Sequence, residues 1–155
     1  MHKNGFTLIE LLVTLALISL FATLALPLAE LTVKRTQESE LRTSLRQIRE
    51  ALDAYKLAAD EGRITVRPGD SGYPPSLNAL VEGVVDVRSP EKKRIYFLRR
   101  IPRDPLADHA VKPENSWGKR SYKSPYDRPR AGDDVFDVYS LSMETGINGI
   151  PYSEW

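Results

Sequence analysis

With 155 residues, 22 basic and 21 acidic side chains and a formal net charge of +1, the chain has room for one ordinary domain. It has neither a polybasic nucleic-acid coat nor an acidic tail on average. Cysteine is absent, which removes disulfides and thiolate-held zinc, and His2 and His109 alone are too few for a multi-histidine metal centre or a choice of catalytic triads.

Taken in chain order, the first element dominates. Residues 11–29 contain no charged side chain, and at about 1.5 Å per residue they make a helix close to the roughly 30 Å of a hydrocarbon core. Apolar groups surround the whole cylinder, as in a membrane span and unlike the single stripe of a soluble helix. Thr14, Ser19 and Thr23 are the polar exceptions, and their hydroxyls can bond back to carbonyls of the preceding turn. A cleaved secretory signal is the alternative, with Ala22, Ala25 and Ala29 supplying small residues. The length of the run and the helical pattern continuing beyond it argue against cleavage there. Charge leaves orientation open: Lys3 precedes the run, while Lys34, Arg35, Arg42 and Arg46 follow it. Glu10 stands one position before the run, where it must stay near the interface or find a cation.

Pro27 interrupts the outer end of this helix, removing an amide donor, so a kink or melted turn is expected there. Leu41, Leu45, Ile48, Leu52, Tyr55 and Ala59 then recur at spacings of three and four, one apolar stripe that predicts a seat for the chain's own domain. Glu38–Arg42, Arg46–Glu50 and Arg49–Asp53 have the spacing of surface ion pairs. Gly62 is placed to close the helix in the left-handed conformation. Lys34 to Glu40 is polar all round, which predicts a solvated segment or one facing other subunits.

From residue 62 onward, short apolar runs and frequent prolines replace the long period. Ser76 is expected to cap a short helix through Leu77, Leu80 and Val81 that Gly83 ends. Arg94 to Leu98 reads as a strand or an extended arm. Trp117 to Tyr122 and Val135 to Leu141 read as two strands of an antiparallel sheet lying on the stripe. The fold class is α+β.

The opening Lys3-Asn4-Gly5-Phe6-Thr7-Leu8-Ile9-Glu10 resembles the class III signal of type IV pilins and secretion pseudopilins. Tyr73-Pro74-Pro75-Ser76-Leu77, Arg100-Ile101-Pro102-Arg103-Asp104-Pro105, Trp117-Gly118 and Phe136-Asp137-Val138-Tyr139-Ser140 follow in an order similar to that of G-type major pseudopilins of type II secretion. The resemblance implies a type IV pilin-like fold, with a leader at 1–5, a transmembrane and assembly helix at 6–29, an amphipathic continuation at 30–61 and a periplasmic domain at 62–155. It also implies prepilin-peptidase cleavage between Gly5 and Phe6, and N-methylation of Phe6. Assembly roles fall to Glu10 and Pro27, with Glu10 meeting the Phe6 amine of a neighbouring subunit.

By the same resemblance the precursor rests in the inner membrane with its domain in the periplasm. Its partners are then the lipid bilayer, further copies of itself, other pseudopilins, the peptidase and the inner-membrane secretion platform. G-type relatives bind calcium in a loop after the last motif. The corresponding stretch here, from Ser140 to Gly149, has one carboxylate, making Glu144 and Asn148 the candidate calcium ligands. A glycine-rich turn held by its own hydrogen bonds, needing no cofactor, is the competing expectation. Nucleic-acid binding, as in a DNA-uptake pilin, is an alternative function: residues 88–130 carry 13 basic and 5 acidic groups, with Tyr96, Phe97, Trp117, Tyr122 and Tyr126 among them. The bland reading of that charge is a surface meeting acidic faces of adjacent subunits. No phosphate loop, HExxH or nucleophile–base pattern supports an enzyme.

Overall fold

A computed structural model describes residues 6–155, so the leader, with Gly5, lies outside the described residues. The chain divides into two compact units at Thr36/Gln37, and one helix, α1 (Leu8–Asp60), contributes to both.

In the first unit, every described residue of α1 from Leu8 to Thr23 is exposed. It is the one helix among the described residues long and apolar enough to cross a membrane. The three internal hydroxyls behave as expected: Thr14 donates to the Leu11 carbonyl at 2.9 Å, Ser19 to Leu15 at 2.8 Å and Thr23 to Leu20 at 2.7 Å. These bonds leave no free hydroxyl on an apolar surface. The span of α1 includes Pro27, and the kink or melted turn expected there falls on residues 24–27, whose side chains lie outside those described.

The second unit is built on the amphipathic part of α1. Leu41, Leu45, Ile48, Leu52, Tyr55 and Ala59 are all buried, as their period predicts. They form one core with Ile64, Leu77, Leu80, Trp117, Val135, Val138 and Tyr152. Gly62, at φ +66°, closes the helix: its N–H reaches the Ala59 carbonyl and the Arg63 N–H reaches Ala58, both at 2.9 Å. This crossed pair satisfies carbonyls that the last turn would otherwise leave open.

The short helix α2 (Asn78–Glu82) starts one residue later than the Ser76 cap requires. Its cap position is Leu77, without a side-chain bond. The Ala79 N–H instead takes the Ser76 carbonyl at 3.2 Å, so a main-chain turn replaces the expected hydroxyl cap. Strands β1 (Val84–Val85) and β2 (Arg94–Ile95) form one antiparallel pair, and β3 (Trp117–Arg120) and β4 (Asp137–Ser140) form another. The small sheet is thus two separate ribbons. Residues 96–98 leave the strand because the Phe97 and Leu98 N–H groups both turn to the Leu80 carbonyl, at 3.0 and 2.9 Å. In β4, Val138 and Ser140 point inward. Val135 is buried as well, out of alternation with them, since it precedes the strand and bonds the Pro74 carbonyl at 2.8 Å.

Two of the three expected helical ion pairs do not form among the described residues. Glu38 and Arg42 stand 4.0 Å apart, but Arg46–Glu50 is not made, and Arg49 leaves Asp53 for Asp137 at 2.8 Å. Fixed acceptors on the domain outcompete a mobile surface carboxylate. Glu38 departs further from expectation: within the segment expected to be solvated, it is buried.

Candidate functional site

Two regions hold the predicted functional residues, one in each unit. At the start of α1, the Thr7 hydroxyl accepts the Glu10 N–H at 3.3 Å, and the Thr7 carbonyl accepts the Leu11 N–H at 3.1 Å. Thr7 is therefore the N-cap and Glu10 the third helical residue, the threonine-x-x-glutamate spacing of a capping box. That signal was legible in the sequence and adds a local reason for an acid at Glu10: a carboxylate in the first turn complements the helix dipole. Phe6, just outside the cap, is 82% exposed. Glu10 is exposed too, and among the described residues it has no cationic partner. Pro27 lies within α1.

The second region is the C-terminal loop. Glu144 and Asn148 both have exposed side chains. The Asn148 side-chain oxygen accepts the Ile150 N–H at 3.1 Å, and the Glu144 carbonyl accepts the Tyr152 N–H at 3.1 Å. Asp137, the nearest strand carboxylate, is engaged by Arg49 at 2.8 Å and Arg120 at 3.4 Å. Asp134 is engaged elsewhere, by the Ser71 hydroxyl and the Tyr122 N–H. No group of three or more acidic or histidine side chains suited to a metal occurs among the described residues.

Sequence reasoning missed the residues that organise this loop. Glu38 Oε1 accepts the Ile147 N–H at 2.7 Å and the Tyr152 hydroxyl at 3.1 Å. Burial pushes the Tyr152 hydroxyl up to about 12, and the adjacent Glu38 carboxylate adds to the shift. Arg49 donates to Asp137, to the Val138 carbonyl at 3.2 Å and to the Trp155 main-chain oxygen at 2.7 Å. The Arg42 guanidinium stacks 4.4 Å above the Trp155 ring. A signal for Glu38 existed: it stands three residues before Leu41, on the same stripe.

The loosely spaced motifs of the sequence meet in space. Trp117 donates from its indole to the Pro102 carbonyl at 2.8 Å. The buried Asp104 accepts the Ser140 hydroxyl at 2.6 Å and the Leu106 N–H at 2.8 Å. Tyr139 lies across Gly118, its partner in the β3–β4 register, where any Cβ would overlap the ring. Each motif therefore supplies one half of a packing contact.

The aromatics of the basic stretch divide, with Tyr96, Tyr122 and Tyr126 exposed and the other two taken up in packing. Trp117 is buried, and Phe97 packs on Tyr55 at 5.3 Å. Tyr122 is stacked with Tyr73 at 5.9 Å. Arg120 is spent on Asp137 and on the Phe136 ring, 4.6 Å away.

Residues 1–26 match the family described as the prokaryotic N-terminal methylation motif. Over 96% of its length the chain is 25% identical to the type II secretion system core protein G of Dickeya chrysanthemi, covering 95% of that relative. No solved structure matches it significantly. The apolar helix and the small antiparallel ribbons give an α+β, type IV pilin-like fold, and the N-terminal motif agrees with it. The full-length similarity supports the G-type pseudopilin branch.

Proposed function

We propose that the chain is made as an inner-membrane precursor, cut between Gly5 and Phe6, methylated at Phe6 and polymerised through α1 into a periplasmic pseudopilus that serves type II secretion. The observation that carries this reading is α1 itself: apolar and exposed from Leu8 to Phe21, it needs lipid first and then other copies of the same helix to cover it.

Glu10 and Pro27 serve assembly in this scheme. Cleavage creates an amine four residues before Glu10, and in a fibre that carboxylate meets the amine of a neighbour. A pair buried in apolar surroundings adds little net stability, whereas either charge left alone is costly, so the pair fixes register. Pro27 leaves α1 one hydrogen bond short near the outer membrane face, where the helix must pass from bilayer to fibre. The basic stretch serves contacts with acidic protein surfaces in preference to nucleic acid, since two of its five aromatics are committed to the core.

Mass spectrometry of membrane-extracted protein co-expressed with a prepilin peptidase tests the processing step. The expected product begins at methylated Phe6; retention of Met1, or a cut elsewhere, removes the proposal. Glu10→Ala should be processed normally yet give about tenfold fewer fibres or less, and an unchanged fibre yield would deny the carboxylate its role.

A further inference from the structure

The C-terminal loop is turned outside in relative to a cation site. A calcium loop gathers carboxylate and carbonyl oxygens around a positive centre. Here the loop gathers donors around a negative one. The Ile147 N–H and the Tyr152 hydroxyl converge on Oε1 of Glu38, which α1 delivers into the loop with only 6% of its surface exposed. The Arg42 guanidinium balances the charge, 4.0 Å from Oε2.

Several of the loop's own oxygens are engaged as well. Gly146 donates to the Ile150 carbonyl and Gly149 to the Gly146 carbonyl, both at 2.9 Å, while Asn148 holds Ile150. Gly146 has no room for a Cβ, which would press on the Trp155 ring and on the Asn148 oxygen, with Glu38 Oε1 at 3.3 Å. The loop is therefore packed directly onto the carboxylate, with Tyr152 fully buried behind it. Glu144, its one remaining acid, faces solvent. This donor set does not fit a hard cation.

We propose that Glu38 closes this loop in place of calcium, so that the order of residues 144–152 depends on the α1 carboxylate and is indifferent to divalent cations. The inference concerns a single chain and stands apart from processing and polymerisation.

The test uses the full-length chain in detergent micelles. Hydrogen exchange of the loop amides and thermal unfolding are followed with millimolar calcium and with a chelator. The two conditions are expected to coincide. Glu38→Ala should quicken exchange at Ile147 and Tyr152 by about tenfold or more, and calcium should not restore protection. Glu38→Gln, which keeps an acceptor oxygen without its charge, should fall between. A calcium-dependent rise in the unfolding midpoint or in loop protection of the unaltered chain would overturn the proposal. So would unchanged loop exchange in Glu38→Ala. If that variant does not fold, the calcium comparison on the unaltered chain and the exchange of Glu38→Gln decide the matter.

Discussion

At the scale of single residues, the domain is organised by charges that reach inward from an apolar stripe. Arg49 binds a carboxylate, a strand carbonyl and the Trp155 main-chain oxygen at once, a fork geometry that lysine cannot reproduce. Tyr152 shows how such contacts couple stability to pH. Its hydroxyl rises from 10.0 in the unfolded chain to about 12 in the fold, because burial and the Glu38 carboxylate disfavour the phenolate. A raised acid favours the fold while it stays protonated. Its contribution is complete below pH 10, then fades as pH climbs toward 12. Urea unfolding across that interval should show a falling midpoint. Tyr55 is raised by burial in the same sense, so Tyr152→Phe should flatten part of the decline. A decline as steep as that of the unaltered chain would assign it to other groups.

At the scale of elements, α1 does two jobs that its sequence separates cleanly. Ile48 is fully buried, whereas Leu57 on the same helix is 60% exposed. Ile48→Ala removes packed methyl groups and leaves a cavity, so it should destabilise the domain by about 2–5 kcal/mol. Leu57→Ala should stay within about 0.5 kcal/mol. Denaturant midpoints of the two variants measure the difference, and equal midpoints would contradict the stripe as the domain's seat.

This helix was the legible part of the chain, because a period of 3.6 repeated over many turns is hard to mistake. Glu38 lies on the same period but was read by its charge, and a buried carboxylate becomes plausible only once its donors, 109 and 114 residues away, are known. The ribbons were harder for a different reason. Strands of two to four residues carry too few alternations to set their own ends. Neighbours such as the Leu80 carbonyl decide where they stop. The cap at Ser76 failed similarly, with a main-chain acceptor available first. The capping box at Thr7 and Glu10 was present in the letters, overshadowed by the apolar run beside it.

At the scale of the whole molecule, the neutral total conceals a marked division. Residues 88–130 carry 13 basic and 5 acidic groups, while residues 131–155 carry none and 5. Among the described residues one ion pair, Arg120–Asp137, joins the two segments within the chain. Arg99 and Arg100, both exposed, find no acidic partner there. Intramolecular pairing therefore leaves most of the imbalance on the surface, where it is free to orient one copy against another.

Exposed charges and a buried pair respond differently to salt. Screening shortens from about 10 Å at 0.1 M to about 3 Å at 1 M, yet it barely reaches a pair enclosed in apolar helices. Fibre assembly by the proposed route should therefore slow as salt rises, through weakened encounter of the exposed segments. The defect of Glu10→Ala should persist at every salt concentration. Sedimentation of processed protein across a salt series separates the two contributions. If the Glu10→Ala defect vanished at high salt, that carboxylate would belong with the surface charges. If normal assembly were indifferent to salt, the segregated segments would have no part in bringing subunits together.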